Sequence, residues 1–217
     1  MSHRGAATTA LVDDAAAASI QMPAPHAIDV SDIARRDEYA LLGTLLARAP
    51  DAALLERISR IRSDDTPLGN AHAGLAHAAS LARPERIERE YFELFIGVGR
   101  GELVPYGSYY LTGFLHERPL ARLRDDLRRL GIARAATEVE PEDHAALLCE
   151  IMAGLAAGDF VAPATAQWTF FDRHLAPWIG RFFADLERAK AADFYRHVGT
   201  VGRLFIEIET EAFALSP

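Results

Sequence analysis

Residues 194–212, FYRHVGTVGRLFIEIETEA, decide the fold class of this chain. Apolar residues recur in this stretch at alternating spacings of four and three, namely Phe194, Val198, Val201, Phe205, Ile208 and Ala212. This spacing predicts one long helix with an apolar seam. Leu204, Ile206 and Ile208 also alternate as in a strand, but the helical match is longer and no second strand-like run offers a partner.

The same helical spacing recurs upstream. Three further apolar stripes are Leu41, Leu42, Leu45 and Leu46; Leu54, Leu55, Ile58 and Ile61; and Leu147, Leu148, Ile151, Met152 and Leu155. Prolines precede the periodic stretches, at Pro67, Pro84, Pro119, Pro141, Pro163 and Pro177. A proline is tolerated in the first turn of a helix, because no hydrogen bond is lost there. We therefore predict an all-α fold.

Length and composition limit the possible classes of protein. The chain has 217 residues, half of them hydrophobic and 25% charged, which suits one globular domain or two small ones. Without an uninterrupted apolar run of about 18 residues, no stable membrane insertion is expected. The net charge of −8 argues against binding nucleic acid through overall charge. Cys149 is the only cysteine and Lys190 the only lysine, which excludes disulfide scaffolds, cysteine-rich metal sites and the Walker phosphate loop.

The chain is predicted to consist of a flexible N-terminal arm, residues 1–30, and a single all-helical domain, residues 31–217. The arm is rich in Ala, Thr and Pro, and acids interrupt it where a signal peptide would be apolar. The pair Arg35-Arg36 is interpreted as helix surface rather than as an export signal, because acids flank it. The expected location is cytoplasmic. Residues 97–113 contain five glycines and are predicted to form a long loop.

No catalytic residue, metal ligand or cofactor is predicted. The run Gly97-Val98-Gly99-Arg100-Gly101 invites a phosphate-binding interpretation, but the segment before it has helical character, whereas a dinucleotide fingerprint follows a strand. His72 and His77 are five residues apart, so a helix would point them away from each other. His144 and Cys149 have the same unfavourable spacing.

Two segments remain as candidates for a binding site. The first is aromatic, with Tyr106, Ser108 and Tyr110 in the stretch VPYGSYYL, residues 104–111; it would serve either as core or as a groove for an apolar peptide. The second is Glu140-Pro141-Glu142-Asp143-His144, whose acids would either stabilise a helix N-terminus or receive an arginine. The residues alone leave both pairs of alternatives open.

At these segments the chain resembles the TorD/DmsD family, chaperones that mature molybdenum-containing redox enzymes exported by the twin-arginine pathway. The resembling motifs keep their order along the chain: YFELFIG at 91–97, PYGS at 105–108, EPEDH at 140–144, HLAPW at 174–178 and DFY at 193–195. Many relatives carry tryptophan where this chain has Tyr106 and Tyr110, and often proline at the position of Val104.

The resemblance implies an all-α, non-catalytic chaperone that binds the twin-arginine signal peptide and the apo form of a molybdenum-cofactor oxidoreductase until the cofactor is inserted. Clients of the dimethyl sulfoxide reductase, trimethylamine N-oxide reductase and formate dehydrogenase classes all remain open. By position, Asp143 and His144 match the family's signal-peptide contacts, with Glu142 beside them and Tyr106, Ser108 and Tyr110 on the adjacent loop. HLAPW is assigned to packing.

The combined hypothesis places the tyrosine-bearing loop and the acidic turn side by side at the surface, where the acids bind client arginines and the aromatics cover an apolar stretch. The alternatives are a small helical nucleotide-binding or nucleotide-hydrolysing enzyme that uses the glycine loop, and a purely structural helical adaptor.

Overall fold

Ten α-helices and two π-helical turns make up the described chain in a computed structural model, which describes residues 29–133 and 140–215. The helices are α1 Val30–Ala47, α2 Ala52–Ile58, α3 Pro67–Leu81, α4 Pro84–Tyr91, α5 Gly107–Thr112, α6 Arg118–Arg129, α7 Ala145–Ala157, α8 Ala166–Phe170, α9 Ile179–Arg188 and α10 Phe194–Ala214. The π-helical turns are Phe92–Ile96 and Phe171–Leu175. The described ranges contain no strand, only one isolated antiparallel bridge. The all-α prediction is confirmed.

Helix starts follow the prolines in three cases. Pro67 and Pro84 open α3 and α4, and Pro119 lies in the first turn of α6. The predicted arm falls almost wholly outside the described residues, except that Asp29 caps α1 and Val30 begins it. Arg35 and Arg36 both lie on α1, but only Arg36 fits the helix-surface interpretation, because the Arg35 side chain is 14% exposed and pairs with Glu209. None of the helices in the described part is long and apolar enough to cross a membrane.

The core is built around two long helices. α1 packs mainly on α7, and α10 packs on α9 and α3 while also touching α1. The three predicted apolar stripes supply buried side chains of α1, α2 and α7, including Leu42, Leu55 and Leu148. Burying such a side chain contributes roughly 1.5 to 3 kcal/mol, so these stripes hold the helices together.

The predicted seam of α10 is wrong at one position. Ile208 is 47% exposed, and Glu209 is buried in its place at 3% exposure. A straight helix of 3.6 residues per turn brings position 209 rather than 208 under Phe205. Arg35 of α1 donates from Nε to both carboxylate oxygens of Glu209, at 3.0 and 2.8 Å, so the buried charge is paired.

The predicted loop 97–113 is also too long. Residues 107–112 form α5, and the irregular connection covers only residues 97–106. The glycines misled the interpretation because two of them serve the helix. Gly107 lies where a Cβ would come within 3.1 Å of the Trp178 indole, and Gly113 ends α5 in the left-handed region, with φ of 83°.

The close packing of α10 on α9 depends on Gly199. A Cβ at this position would lie 2.6 Å from the backbone nitrogen of Glu187. We expect Gly199→Ala to lower the free energy of unfolding by about 1 to 3 kcal/mol, because backbone atoms cannot move aside as a flexible side chain would. Urea titration measures this change.

Gly180→Ala is the matched control. Its Cβ would lie 3.6 Å from Ile206 Cγ2, an ordinary contact, so the helix-propensity gain of up to about 1 kcal/mol is expected to survive. Equal effects of the two alanines on stability would contradict the close-packing argument.

Candidate functional site

The structure brings the aromatic loop and the acidic turn into direct contact through the backbone. Tyr106 and His144 form the isolated antiparallel bridge. The Gly107 N–H donates to the Asp143 carbonyl at 2.9 Å, and the Ala145 N–H donates to the Pro105 carbonyl at 2.8 Å. Two segments about 35 residues apart in sequence therefore form one rigid unit.

Asp143 anchors this unit from inside rather than at the surface. Its Oδ2 accepts a 2.7 Å hydrogen bond from the Ser108 N–H, in the first turn of α5. The Asp143 side chain is only 3% exposed, so the expectation of a freely accessible carboxylate is wrong. The reason is that the first N–H groups of α5 need an acceptor, and a carboxylate also favours the positive end of the helix dipole.

Two polar atoms at this anchor lack a hydrogen bond. Oδ1 of Asp143 and Oγ of Ser108 are both buried and have no hydrogen-bond partner among the described residues. An unsatisfied buried oxygen costs stability, commonly about 1 to 3 kcal/mol. Each of these oxygens keeps the capacity to accept one further hydrogen bond, although the atom itself is buried.

His144 is the N-cap of α7 and is buried as well. Its Nδ1 accepts a 3.1 Å hydrogen bond from the Ala146 N–H, so Nδ1 carries no proton in this arrangement. The ring packs edge-on against Tyr106, with the centroids 5.0 Å apart. His144 thus positions the tyrosine ring.

The other acids of the turn are held by neighbours. The Tyr106 hydroxyl donates to the Glu140 carboxylate, and Glu142 pairs with Arg124 of α6 at 2.8 Å. Burial, together with Glu140, raises the pKa of Tyr106 well above its ordinary value of 10, so its hydroxyl stays protonated. The carboxylates of Glu140 and Glu142 therefore already have partners within the protein and do not form a set of unpaired acids at the surface.

Tyr110 lies away from the acidic turn. Its hydroxyl donates to Asp185 of α9 at 3.1 Å, and its ring packs 5.4 Å from that of Trp178. The Arg181 guanidinium also stacks over the Tyr110 ring, 4.9 Å from its centroid. Tyr110 thus connects α5 to α9, and its hydroxyl does not join those of the predicted site.

A cleft of about 370 Å³ opens beside the anchor. Its lining residues come from α5, α6, the acidic turn, α7 and the segment before α9: Gly107, Leu111, Pro119, Arg122, Leu123, Asp125, Asp126, Arg129, Asp143, Leu148, Arg173, His174 and Trp178. We call it the α5–α6 cleft. It combines an apolar floor with three aspartates and three arginines, a pattern typical of sites that bind a peptide with mixed polarity.

Asp126 organises the wall of this cleft and was missed by the sequence analysis. Its carboxylate oxygens lie 2.9 Å from His174 Nε2, 2.6 Å from Arg129 Nη1 and 3.4 Å from Arg173 Nη1. Although burial alone would raise it, His174 and Arg173 hold the pKa of Asp126 below its ordinary value of 3.8. The sequence signal that points to this cluster is the HLAPW motif, for which the sequence predicts packing alone.

Trp178 packs in the core, as predicted for the HLAPW motif, and it also forms a hydrogen bond with the His174 backbone. It is buried, and its Nε1–H donates to the His174 carbonyl at 2.7 Å. Burial lowers the pKa of His174 below its ordinary value of 6.5, and the bond to Asp126 offsets only part of this effect; the positive charge of Arg173 lowers the pKa further. His174 is therefore neutral near pH 7.

The glycine run has a structural explanation that does not involve phosphate. A Cβ at Gly97 would lie 2.1 Å from the Arg100 carbonyl oxygen, and one at Gly101 would lie 2.5 Å from the Leu94 carbonyl oxygen. The run follows a π-helical turn rather than a strand. Within the described ranges, no group of three or more His, Cys, Asp or Glu residues is placed to hold a metal ion.

The role of Asp143 as an anchor makes a prediction about stability. Asp143→Ala removes the acceptor of the buried Ser108 N–H and should lower the free energy of unfolding by about 1 to 3 kcal/mol. Asp143→Asn keeps an acceptor oxygen and should cost less than the alanine. Chemical denaturation of both variants measures the difference; equal losses would show that the carboxylate charge, not the hydrogen bond, holds the loop.

Two half-buried histidines, His174 and His72, should give opposite pH dependences. Folding lowers the pKa of His174, so its contribution is complete above pH 6.5 and is lost as the pH falls through its folded value. The hydrogen bond that His72 Nε2 donates to the Glu38 carboxylate, 3.0 Å away, raises the pKa of His72, so its contribution is complete below pH 6.5 and is lost as the pH rises through its folded value.

Unfolding free energies measured across this range test the assignment. Relative to the parent, His174→Gln should flatten the decline on the acid side, and His72→Gln should flatten the decline on the basic side. If both variants flatten the same side, either the burial argument for His174 or the hydrogen-bond argument for His72 is wrong.

Comparisons with known proteins show which families and folds this chain resembles. Residues 62–184 match a family model described as nitrate reductase delta subunit. The chain is 26% identical over 138 residues to the chaperone protein TorD of Aliivibrio fischeri, covering 59% of this chain and 64% of that protein. It is 32% identical over 114 residues to the probable Tat proofreading chaperone DmsD of Haemophilus influenzae, covering 52% and 54%. The matches thus span less than two thirds of these curated relatives.

A solved structure shares the fold. The crystal structure of a putative redox enzyme maturation protein from Archaeoglobus fulgidus matches with a TM-score of 0.53 and 20% identity, covering 80% of this chain and 93% of that one. The matched family model covers more than half of the chain and includes the loop, the acidic turn and the α5–α6 cleft. The chain belongs to the TorD/DmsD family, the family of the nitrate reductase delta subunit model.

Proposed function

We propose that this protein is a chaperone of redox-enzyme maturation. It would bind the twin-arginine signal peptide and the apo form of an exported molybdenum-cofactor oxidoreductase in the cytoplasm, and hold it until the cofactor is inserted. Relatives named TorD and DmsD support the chaperone role, because the matched names describe chaperones. The proposal assigns no catalytic residue to this chain.

The observation that carries the proposal is the Asp143 anchor beside the α5–α6 cleft. Asp143 lines the cleft, and its Oδ1 is buried without a hydrogen bond. A guanidinium donor that reached this oxygen would satisfy it and form a charge-assisted hydrogen bond. Client arginine is the donor that the family resemblance supplies.

The remaining charges of the cleft limit how much electrostatics contributes. Asp125 already pairs with Arg128, and Asp126 pairs with Arg129, Arg173 and His174. A client arginine at these exposed sites would exchange one ion pair for another, worth at most about 1 kcal/mol. Affinity must therefore come mainly from apolar burial, at about 25 cal/mol per Å², while Asp143 contributes selectivity for the arginine.

The positions of the six residues that the sequence predicts for the site suggest different roles. Asp143 is the proposed contact for arginine, and Tyr106 is the half-exposed aromatic beside it. Ser108 and His144 position this pair through α5 and the Tyr106 ring. Glu142, through Arg124, fixes the acidic turn to α6.

Tyr110 joins α5 to α9. We propose it as a support for the cleft rather than as a contact for arginine.

Calorimetric titration with a twin-arginine peptide tests the proposal. Raising the salt from about 50 to about 500 mM should weaken binding by less than about tenfold, because screening acts only on the charge-dependent part. Asp143→Asn should weaken binding and remove much of that salt dependence. A control peptide with both arginines replaced by glutamine should bind the parent protein as weakly as the intact peptide binds the variant.

Two outcomes would count against the proposal. Complete loss of binding at moderate salt would mean that charge, not apolar burial, supplies the affinity. Normal binding by folded Asp143→Asn would mean that the acidic turn is purely structural. Affinity capture from lysate followed by mass spectrometry then separates the dimethyl sulfoxide reductase, trimethylamine N-oxide reductase and formate dehydrogenase classes of client.

A further inference from the structure

We infer that Leu111, Phe114 and Leu115, which we call the apolar tip, bind the apolar stretch that follows the arginines of the client peptide. These side chains are 43%, 69% and 44% exposed and lie at the end of α5 and in the turn before α6. None of them was among the residues predicted from the sequence. The inference rests on the proposed function and adds the part of the surface that supplies the affinity.

The backbone holds the tip in this exposed position. The Gly113 N–H donates to the Tyr109 carbonyl at 2.8 Å and ends α5, and the Phe114 N–H donates to Thr112 Oγ1 at 3.2 Å. Thr112 Oγ1 also donates to the Ser108 carbonyl at 2.8 Å. The turn is thus fixed by hydrogen bonds, so the exposure of Phe114 is built into the fold.

The turn also contains an unfavourable backbone conformation. His116 has φ of 61° and is the one residue other than glycine with positive φ in the described ranges. Such a conformation is costly for a residue with a Cβ, and it recurs where structure serves a binding site. Together with the exposed aromatic ring, it indicates that the tip is presented to a partner.

The tip continues the α5–α6 cleft. Leu111 lines the cleft together with Asp143. Asp143 is bonded to Ser108, and Leu111 follows Ser108 by three residues, or about 4.5 Å along the axis of α5. An extended peptide advances about 3.3 Å per residue, so a chain whose arginine reaches Asp143 places its next few residues on the tip.

The size and charge of the tip favour a peptide over the other occupants. Three side chains of this size fall well short of the roughly 800 Å² that each partner buries in a stable dimer. Glu117 and Arg118 follow the tip directly, so its rim carries both signs, whereas an anionic membrane surface selects clusters of basic residues. An apolar peptide segment needs neither a large area nor a basic rim.

The test uses the full chain and two variants. Phe114→Gln/Leu115→Gln makes the tip polar but leaves Leu111 and the cleft unchanged. Val161→Gln is the matched control, because Val161 is 89% exposed and is not among the residues that line the cleft. Thermal melts establish that all three proteins are folded.

The probes are a twin-arginine peptide with its apolar stretch and the same peptide with alternate apolar residues replaced by serine. Calorimetry should show the double variant binding the first peptide about 10- to 100-fold more weakly than the parent, with a less negative heat-capacity change, because less apolar surface is buried. The parent should bind the serine peptide as weakly as the double variant does. Val161→Gln should match the parent.

The outcomes separate this inference from the proposed function. If the parent protein binds neither peptide, the proposed function fails. If the parent binds the first peptide and the double variant binds it equally well, the tip inference fails and the proposed function stands. Sedimentation and flotation with phosphatidylglycerol vesicles cover the remaining occupants. A dimer or a vesicle complex that the double substitution abolishes while peptide affinity is unchanged would overturn the inference.

Discussion

The hydrogen bond between the Asp143 carboxylate and the Ser108 N–H is the interaction on which the rest of the candidate site depends. It satisfies the N-terminus of α5, a helix of only six residues that would not be stable alone. The bridge between Tyr106 and His144 then fixes the register of the two segments. Every other feature of the α5–α6 cleft is positioned relative to this junction.

The helical core makes the junction possible by bringing distant parts of the chain together. α7 is held by α1, and α9 is held by α10, where Gly199 lets the two backbones approach closely. α9 in turn carries Asp185, which receives the Tyr110 hydroxyl. The core thus supports α5 at two points: the acidic turn before α7 caps its beginning, and α9 contacts its middle through Tyr110.

Burial changes what the charged residues at this site do. Asp143 serves the fold through one carboxylate oxygen and leaves the other without a partner, while the carboxylates of Glu140, Glu142 and Asp126 are occupied by neighbours. An acidic sequence motif is therefore not the same as an acidic surface. In the proposed function, selectivity for a client arginine would come from one positioned oxygen and affinity from apolar surface.

The amino-acid sequence by itself determined the helical class, most helix positions and the pair of segments that form the junction. These features follow from local rules, since apolar spacing, prolines in first turns and acids at helix ends act over a few residues. The apolar spacing predicted the wrong buried residue at one place, Ile208 instead of Glu209, because it was off by one position there. The sequence also did not predict α5, because a glycine required by packing cannot be distinguished in the sequence from one required by a loop.

Only the tertiary structure decided which polar groups are buried and that Phe114 stays exposed. It also decided that Asp126 forms a hydrogen bond with His174, 48 residues further along the chain. Solvent exposure and long-range pairing depend on how helices pack, and packing is a property of the whole chain rather than of any local stretch.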